Sequence, residues 1–262
     1  MKLIPICSSS KGNCTYIGTL DSGIVIDMGC SFKAFKTMLA AAGGSIDAVK
    51  AVLVTHEHSD HIKGLLTLTK QRRIPIFADE GALNYLIGHH LVESTAELHT
   101  VEELDKVEFD AHIQSFVTPH DACSVGYRLD FSDSSLGFCT DLGRVTDTVK
   151  SMLTGCRTVF IEANYQPEML MKNPNYPAYL KQRIAGREGH LSNPDSAEFC
   201  SHLVENGTVN LILGHLSQEN NTPEIAFNTV KNRLAETGKE YERDYTLKVA
   251  KVNNDSGEYV TF

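Results

Sequence analysis

The chain has 262 residues, 42 % hydrophobic and 22 % charged, with a net charge of −9 at pH 7 and a pI near 5.6. That length lets one α/β domain bury a proper core and no composition break divides it, so a single domain over residues 1–262 is expected. The acidic balance is poor bulk electrostatics for a nucleic-acid binder, and seven cysteines without a Cys-x-x-Cys pair exclude zinc-ribbon and thioredoxin-like sites, leaving reduced, mostly buried thiols.

In chain order, Leu3 to Ile6 reads as a first strand. This opening is too short for a signal peptide, and no window approaches the ~20 apolar residues of a spanning helix, so a cytoplasmic location is expected. The polar run Ser8-Ser9-Ser10-Lys11-Gly12-Asn13 offers hydroxyls, backbone N–H groups and an ammonium, as an anion-binding nest requires. Ser10, Lys11 and Asn13 are therefore candidate phosphate contacts, and a plain hairpin turn fits the same residues equally well. Strands follow at Cys14 to Leu20 and Gly23 to Ile26, then Asp27 and a helix capped by Ser31 with Phe32, Phe35, Met38 and Leu39 on its apolar face.

The run Ala51-Val52-Leu53-Val54 enters Thr55-His56-Glu57-His58-Ser59-Asp60-His61. Residues two apart in extended chain point the same way, so His56 and His58 can share one metal, while Asp60 and His61, at the start of a helical pattern, turn toward a second. Imidazole nitrogen with carboxylate oxygen and no thiolate suits zinc, manganese or iron, and two close metals signal hydrolytic chemistry. Two divalent cations would also return about +4 of charge to an acidic chain.

Beyond the cluster, a helix over Ile62 to Lys70, a strand over Ile74 to Ala78 and a helix over Glu80 to His89 continue a layered α/β rhythm, with His89, His90 and His99 expected at the surface. Short strands are expected at Val107 to Phe109, Ile113 to Val117, Ser124 to Phe131 and Leu136 to Cys139, placing His120 and Asp141 just beyond strand ends. Thr146 opens a helix, and Thr158 to Ile161 forms a strand ending at Glu162-Ala163-Asn164. The segment from Tyr165 to Ala185 mixes tyrosines with Lys181 and Arg183, with Arg187 just beyond, which suits either base stacking and phosphate contact or a packed lid. His190 precedes a helix capped by Ser192 or Asn193, well placed to hold a phosphate or protonate a leaving oxygen. Val209 to Leu213 is the last core strand before His215, and Thr222-Pro223 starts a long helix.

The pattern His56-x-His58-x-Asp60-His61-x-x-Gly64, joined by Asp27, His120 in Thr-Pro-His, Asp141 in Thr-Asp-Leu-Gly and His215 in Gly-His-Leu-Ser, resembles the metallo-β-lactamase superfamily over essentially the whole chain. The motifs Glu162-Ala163-Asn164, Gly189-His190-Leu191-Ser192-Asn193 and His215 to Pro223 are similar to its YycJ/WalJ branch, which lies nearer the nucleases than the lactamases. The resemblance implies a four-layer αβ/βα sandwich holding two divalent metal ions, zinc or manganese with iron possible. One metal would take His56, His58 and His120, the other Asp60, His61 and His215, and Asp141 would bridge them. Asp27 would support the metal loop, with Thr55 beside it. A hydroxide held by the metals, oriented by Asp60, would be the nucleophile, with His190 as the second catalytic group.

His58 stands where the redox-active di-iron branch has glutamate, which favours hydrolysis. The short stretch between Asp141 and His215 leaves no room for the inserted domain of the long nucleic-acid-processing members. The expected activity is thus a nuclease on DNA more than RNA, a 5′ exonuclease by resemblance, with Arg183, Arg187, Ser10, Lys11, Asn13 and Ser192 as substrate contacts. Two alternatives stand beside it: a small-molecule hydrolase acting on a thioester, lactone or cyclic phosphodiester, and a metal-binding regulatory protein with little turnover.

Overall fold

Long apolar runs at the start of the chain make strands that are buried on both faces rather than on alternate residues. In the computed structural model, which describes residues 1–262, β1 (Lys2–Ser9) and β2 (Gly12–Gly18) form a hairpin closed by the two residues Ser10 and Lys11. β3 (Gly23–Ile26) pairs antiparallel with β2. Ser31 caps α1 (Phe32–Ala41) by accepting the Ala34 N–H, and β4 (Val49–Leu53) returns parallel to β3. α2 (Ser59–Ile62), α3 (Leu65–Gln71), β5 (Ile76–Ala78), α4 (Glu80–Gly88) and β6 (Leu98–Thr100) follow.

β7 (His112–Val117), β8 (Val125–Asp130) and β9 (Ser135–Cys139) lead to α5 (Asp147–Leu153) and β10 (Thr158–Glu162). Next come α6 (Pro167–Lys172), α7 (Ala178–Ile184), α8 (Asn193–Glu205), β11 (Asn210–Gly214), α9 (Pro223–Glu236) and β12 (Thr246–Val249). The chain closes with β13 (Val260–Thr261), antiparallel to β1.

Two compact units result, Met1–Gln114 with Lys251–Phe262 and Ser115–Ala250. The first contains the sheet β13-β1-β2-β3-β4-β5-β6, the second the order β12-β11-β10-β9-β8-β7. Ile4, Tyr16, Val25, Phe35, Val52 and Leu65 belong to one core, and Leu153, Val159, Ile161, Leu203, Leu213 and Val230 to the other. Each such side chain contributes roughly 1.5–3 kcal/mol on leaving water. In each unit the parallel strands bring their C-terminal ends to one edge. Asp27 follows β3 and Thr55-His56 follow β4 in the first; Asp141 follows β9, Glu162 ends β10 and His215 follows β11 in the second.

Three expectations need correction. Val107 to Phe109 is not a strand, because the Phe109 N–H bonds back to the Val107 carbonyl at 2.8 Å and Ala111 N–H to Phe109 in the same way, curling the chain too tightly to pair. The helix expected over Ile62 to Lys70 breaks at Gly64, whose N–H donates to the Met28 carbonyl at 2.7 Å. A methyl group at Gly64 would lie 2.4 Å from the Cys30 carbonyl, so only glycine permits this approach. His89 and His90 are exposed, but His99 is half-buried, stacked on Phe77 at 4.8 Å between Glu97 and Glu103.

Candidate metal centre

Four of the seven expected ligands lie in the first unit, and Asp27 organises them. Leaving β3, it takes φ 60°, a left-handed conformation that costs about 1–3 kcal/mol unless its surroundings hold it. Its N–H donates to the Leu53 carbonyl, and its carboxylate accepts the Thr55 N–H at 2.7 Å and the Thr55 hydroxyl at 2.9 Å. Oδ2 then accepts from His61 Nδ1 at 2.7 Å, so His61 presents Nε2, the nitrogen 3.4 Å from Asp60 Oδ2. Thr55 Oγ1 also lies 3.0 Å from His56 Nδ1. His56 Nε2 and His58 Nδ1 approach to 3.0 Å with their rings edge to face, so two imidazole nitrogens converge as the extended spacing predicts. Burial pushes the Asp27 carboxyl above its usual range, against the opposing pull of His61 and Thr55.

In the second unit the organising carboxylate is Glu162, which is fully buried. Oε2 accepts the backbone N–H groups of Leu142 at 2.8 Å and Leu191 at 3.0 Å; Oε1 accepts from His215 Nδ1 at 2.7 Å and His190 Nδ1 at 2.9 Å. Burial raises this carboxyl, but the two imidazoles outweigh it and lower it to about 2. Asp141, Glu162, His190 and His215 each offer a ligand atom within 4.8 Å of the others. Asp141 and His215 both take φ 55°, the left-handed conformation that Asp27 adopts in the first unit. His120 Nδ1 faces the Gly189 carbonyl at 3.1 Å, which leaves Nε2, 3.6 Å from Asp141 Oδ1, as the lone-pair nitrogen. Burial lowers its pKa and so favours the neutral form that a cation needs.

These donors fit divalent cations: oriented imidazoles and carboxylates, with no thiolate among them. The sequence singled out Glu162 but gave it no role. Its signal was position, a carboxylate ending a buried strand beside Asp141 and His215. The asparagines of the same motifs prove to be scaffolding. Asn164 Nδ2 donates to the His215 carbonyl at 2.8 Å, and Asn221 Nδ2 donates to the carbonyls of Ala163 and Asn164. Asn193 and Asn221 bond side chain to side chain.

His190 is one-fifth exposed, its ring 5.3 Å from those of both His120 and His215. Ser10 and Lys11 form the exposed β1–β2 turn. Asn13 is buried, its amide donating to Asp60 Oδ2 at 3.2 Å and lying 3.1 Å from His61 Nε2. Ser192 caps α8 and also donates to Asp195. Arg183 is exposed and paired with Asp121 at 2.6 Å, and with Arg187 it lines a surface cavity of about 430 Å³. Of the nearby tyrosines, Tyr165 is buried and Tyr179 exposed.

Residues 23–215 match the family model for the "Beta-lactamase superfamily domain". Exodeoxyribonuclease YycJ of Bacillus anthracis is 34 % identical over 237 residues, covering 89 % of each chain. Exodeoxyribonuclease WalJ of Streptococcus pneumoniae is 34 % identical over 235 residues, 88 % of this chain and 87 % of that one. Among solved structures, Zn(2+)-bound PqqB of Methylobacterium extorquens superposes with a TM-score of 0.72 at 14 % identity over 100 % of both chains. YhfI of Bacillus subtilis gives 0.70 at 13 % identity over 96 % of this chain and 97 % of its own. Identities this low speak to the fold alone. No helix is long and apolar enough to cross a membrane.

Proposed function

Because the chain belongs to the metallo-β-lactamase superfamily, in its YycJ/WalJ-like branch, and is a metal-dependent hydrolase, we propose that it is a two-cation phosphodiesterase acting on nucleic acid, a DNA exonuclease working from a 5′ end. The observation that carries this reading is the 34 % identity to an exodeoxyribonuclease across 89 % of both chains. In the proposal, His56, His58 and His120 hold one cation and Asp60, His61 and His215 the other, with Asp141 shared. Zinc and manganese both suit these donors. When bound, the cations supply positive charge against a phosphoryl oxygen and activate a water near neutral pH.

The protein's own groups do the rest. Asp60, its Oδ2 held by the Asn13 amide, accepts a hydrogen bond from the attacking water. His190, tied through Nδ1 to Glu162, presents Nε2 to the phosphate and protonates the leaving oxygen. Ser10, Lys11, Arg183 and Arg187 extend the substrate path in this reading, with Ser192 acting through the N-terminus of α8. A small-molecule esterase of the same fold is the second reading, favoured by the net charge of −9.

Purified protein with manganese or zinc is to be offered 5′-phosphorylated duplex DNA, single-stranded DNA, RNA, a thioester and bis-p-nitrophenyl phosphate. Nucleotide release from the 5′-phosphorylated DNA, abolished by His58→Ala, is expected. Turnover of the small esters alone would establish the second reading instead. His190→Ala is expected to lower turnover while keeping the bound metal; loss of metal would make His190 a ligand.

A further inference from the structure

Three cysteines far apart in sequence meet within the first unit, and the hydrolytic reading uses none of them. Cys7 on β1 and Cys14 on β2 are register partners across the hairpin, both buried. Cys30, three residues past Asp27, is half-buried and packs against the same core. The Gly29 N–H donates to the Asn13 carbonyl at 2.7 Å. A methyl group on Gly12 would lie 3.0 Å from the Gly29 carbonyl oxygen and 3.7 Å from Cys7 Sγ, so the strand ends and the 29–30 backbone lie within one side chain's reach. The Cys30 sulfur lies within the electrostatic reach of both the Cys14 and the Cys7 thiols. All three are thiols here.

We propose that Cys30, Cys14 and Cys7 form an oxidation site, in which peroxide joins Cys30 to one of the two buried thiols and thereby loosens the metal-binding loop. The neighbouring Cys14 and Cys7 thiols lower the Cys30 pKa, Cys30 and burial raise that of Cys7, and burial and Cys30 raise that of Cys14, so the half-buried member of the trio is the one that loses its proton most readily. In the first step the Cys30 sulfur attacks a peroxide oxygen, the O–O bond breaks, and a sulfenic acid and hydroxide form. In the second, the neighbouring thiol attacks that sulfur, the S–O bond breaks and an S–S bond forms. The hydroxyl leaves with the thiol's proton as water. Two thiols and one hydrogen peroxide thus become one disulfide and two waters.

The effect on the loop follows from what adjoins the cysteines. Asn13, next to Cys14, holds Asp60 Oδ2 at 3.2 Å and lies against His61 Nε2. Gly29, next to Cys30, lies so close to the Asp60 carbonyl that a methyl group there would sit 1.6 Å from its oxygen. An S–S bond is about 2.05 Å long, shorter than any contact between unbonded sulfurs, so closing it pulls on the segments that adjoin Asp60 and His61. The loop consequence rests on the proposed ligand role of those two residues; the oxidation site does not.

The test treats the full-length, zinc-loaded protein with hydrogen peroxide and maps it with trypsin. Cleavage after Lys11 and Lys33 leaves Cys7 on peptide Leu3–Lys11 and both Cys14 and Cys30 on Gly12–Lys33. The expected product is a disulfide involving Cys30, internal to the second peptide or joining the two. Dithiothreitol should reverse it, and both Cys30→Ser and Cys30→Ala should lack it. Retained zinc after dialysis is expected to fall about tenfold, a readout that needs no nuclease assay. A Cys30 that stays a thiol or goes to sulfonic acid, or the same link persisting in the Cys30 variants, would overturn the site. A disulfide that leaves zinc content unchanged would overturn its coupling to the loop.

Discussion

Asp27 and Glu162 do the same job in different units, and the balance of forces on them is opposite. Each is a buried carboxylate that fixes an imidazole through Nδ1: His61 for Asp27, His190 and His215 for Glu162. Asp27 is fed by one residue, Thr55, and by His61, and burial still wins, raising its pKa. Glu162 receives two backbone N–H groups and two imidazoles, which overcome complete burial. A buried charge is tolerable in proportion to the donors aimed at it. The second unit therefore holds an orienting anion that stays ionised, while the first relies on a local hydrogen-bonded turn.

The largest effect is expected where one anion serves two imidazoles. Glu162→Gln should lower turnover about 100-fold and release bound metal, with His190→Ala reproducing only the part of that loss that leaves metal in place. Asp27→Asn should cost about tenfold in metal affinity, measured by competition with a chelator, because Thr55 still braces His56. Equal losses in the two variants would erase the distinction between the units.

A smaller effect is expected at Asn221, whose amide joins Ala163, Asn164 and Asn193. Asn221→Ala should lower unfolding stability by about 2–3 kcal/mol in urea titration, since its buried partners lose their donor. The smallest effect concerns pH. Glu162 sits at about 2 in the fold against an ordinary 4.5, so its stabilisation is complete above pH 4.5 and is lost as pH falls toward 2. Glu162→Gln should flatten that acid limb of the stability curve. Asp27, raised rather than lowered, contributes with the opposite sign, so Asp27→Asn should leave the limb steep.

Much of this could be read from local pattern. Ser31, Thr146 and Thr222 cap as their spacing indicates, because a cap is decided within four residues, while of the two candidates Ser192 and Asn193 it is Ser192 that caps α8. The convergence of His56 and His58 follows from strand geometry alone. What escaped depends on distant chain. Gly64 breaks its helix because residues 28–30 pass against it. β6 was missed because Leu98-His99-Thr100, only half-buried at the sheet edge, shows no apolar alternation. The role of Glu162 is set by Leu142, Leu191, His190 and His215, brought together only by parallel strand order. The left-handed backbone at Asp27, Asp141 and His215 is only hinted at by residue type, since aspartate and histidine enter that region more readily than most side chains but mostly lie elsewhere.

The central proposal is that His56, His58, Asp60, His61, His120, Asp141 and His215 hold two divalent cations. Anomalous diffraction from crystals grown with manganese tests it most directly. Two peaks are predicted, one within bonding distance of His56, His58 and His120, the other of Asp60, His61 and His215, with Asp141 touching both. A single peak, or peaks bound by ligands of one unit only, would contradict it.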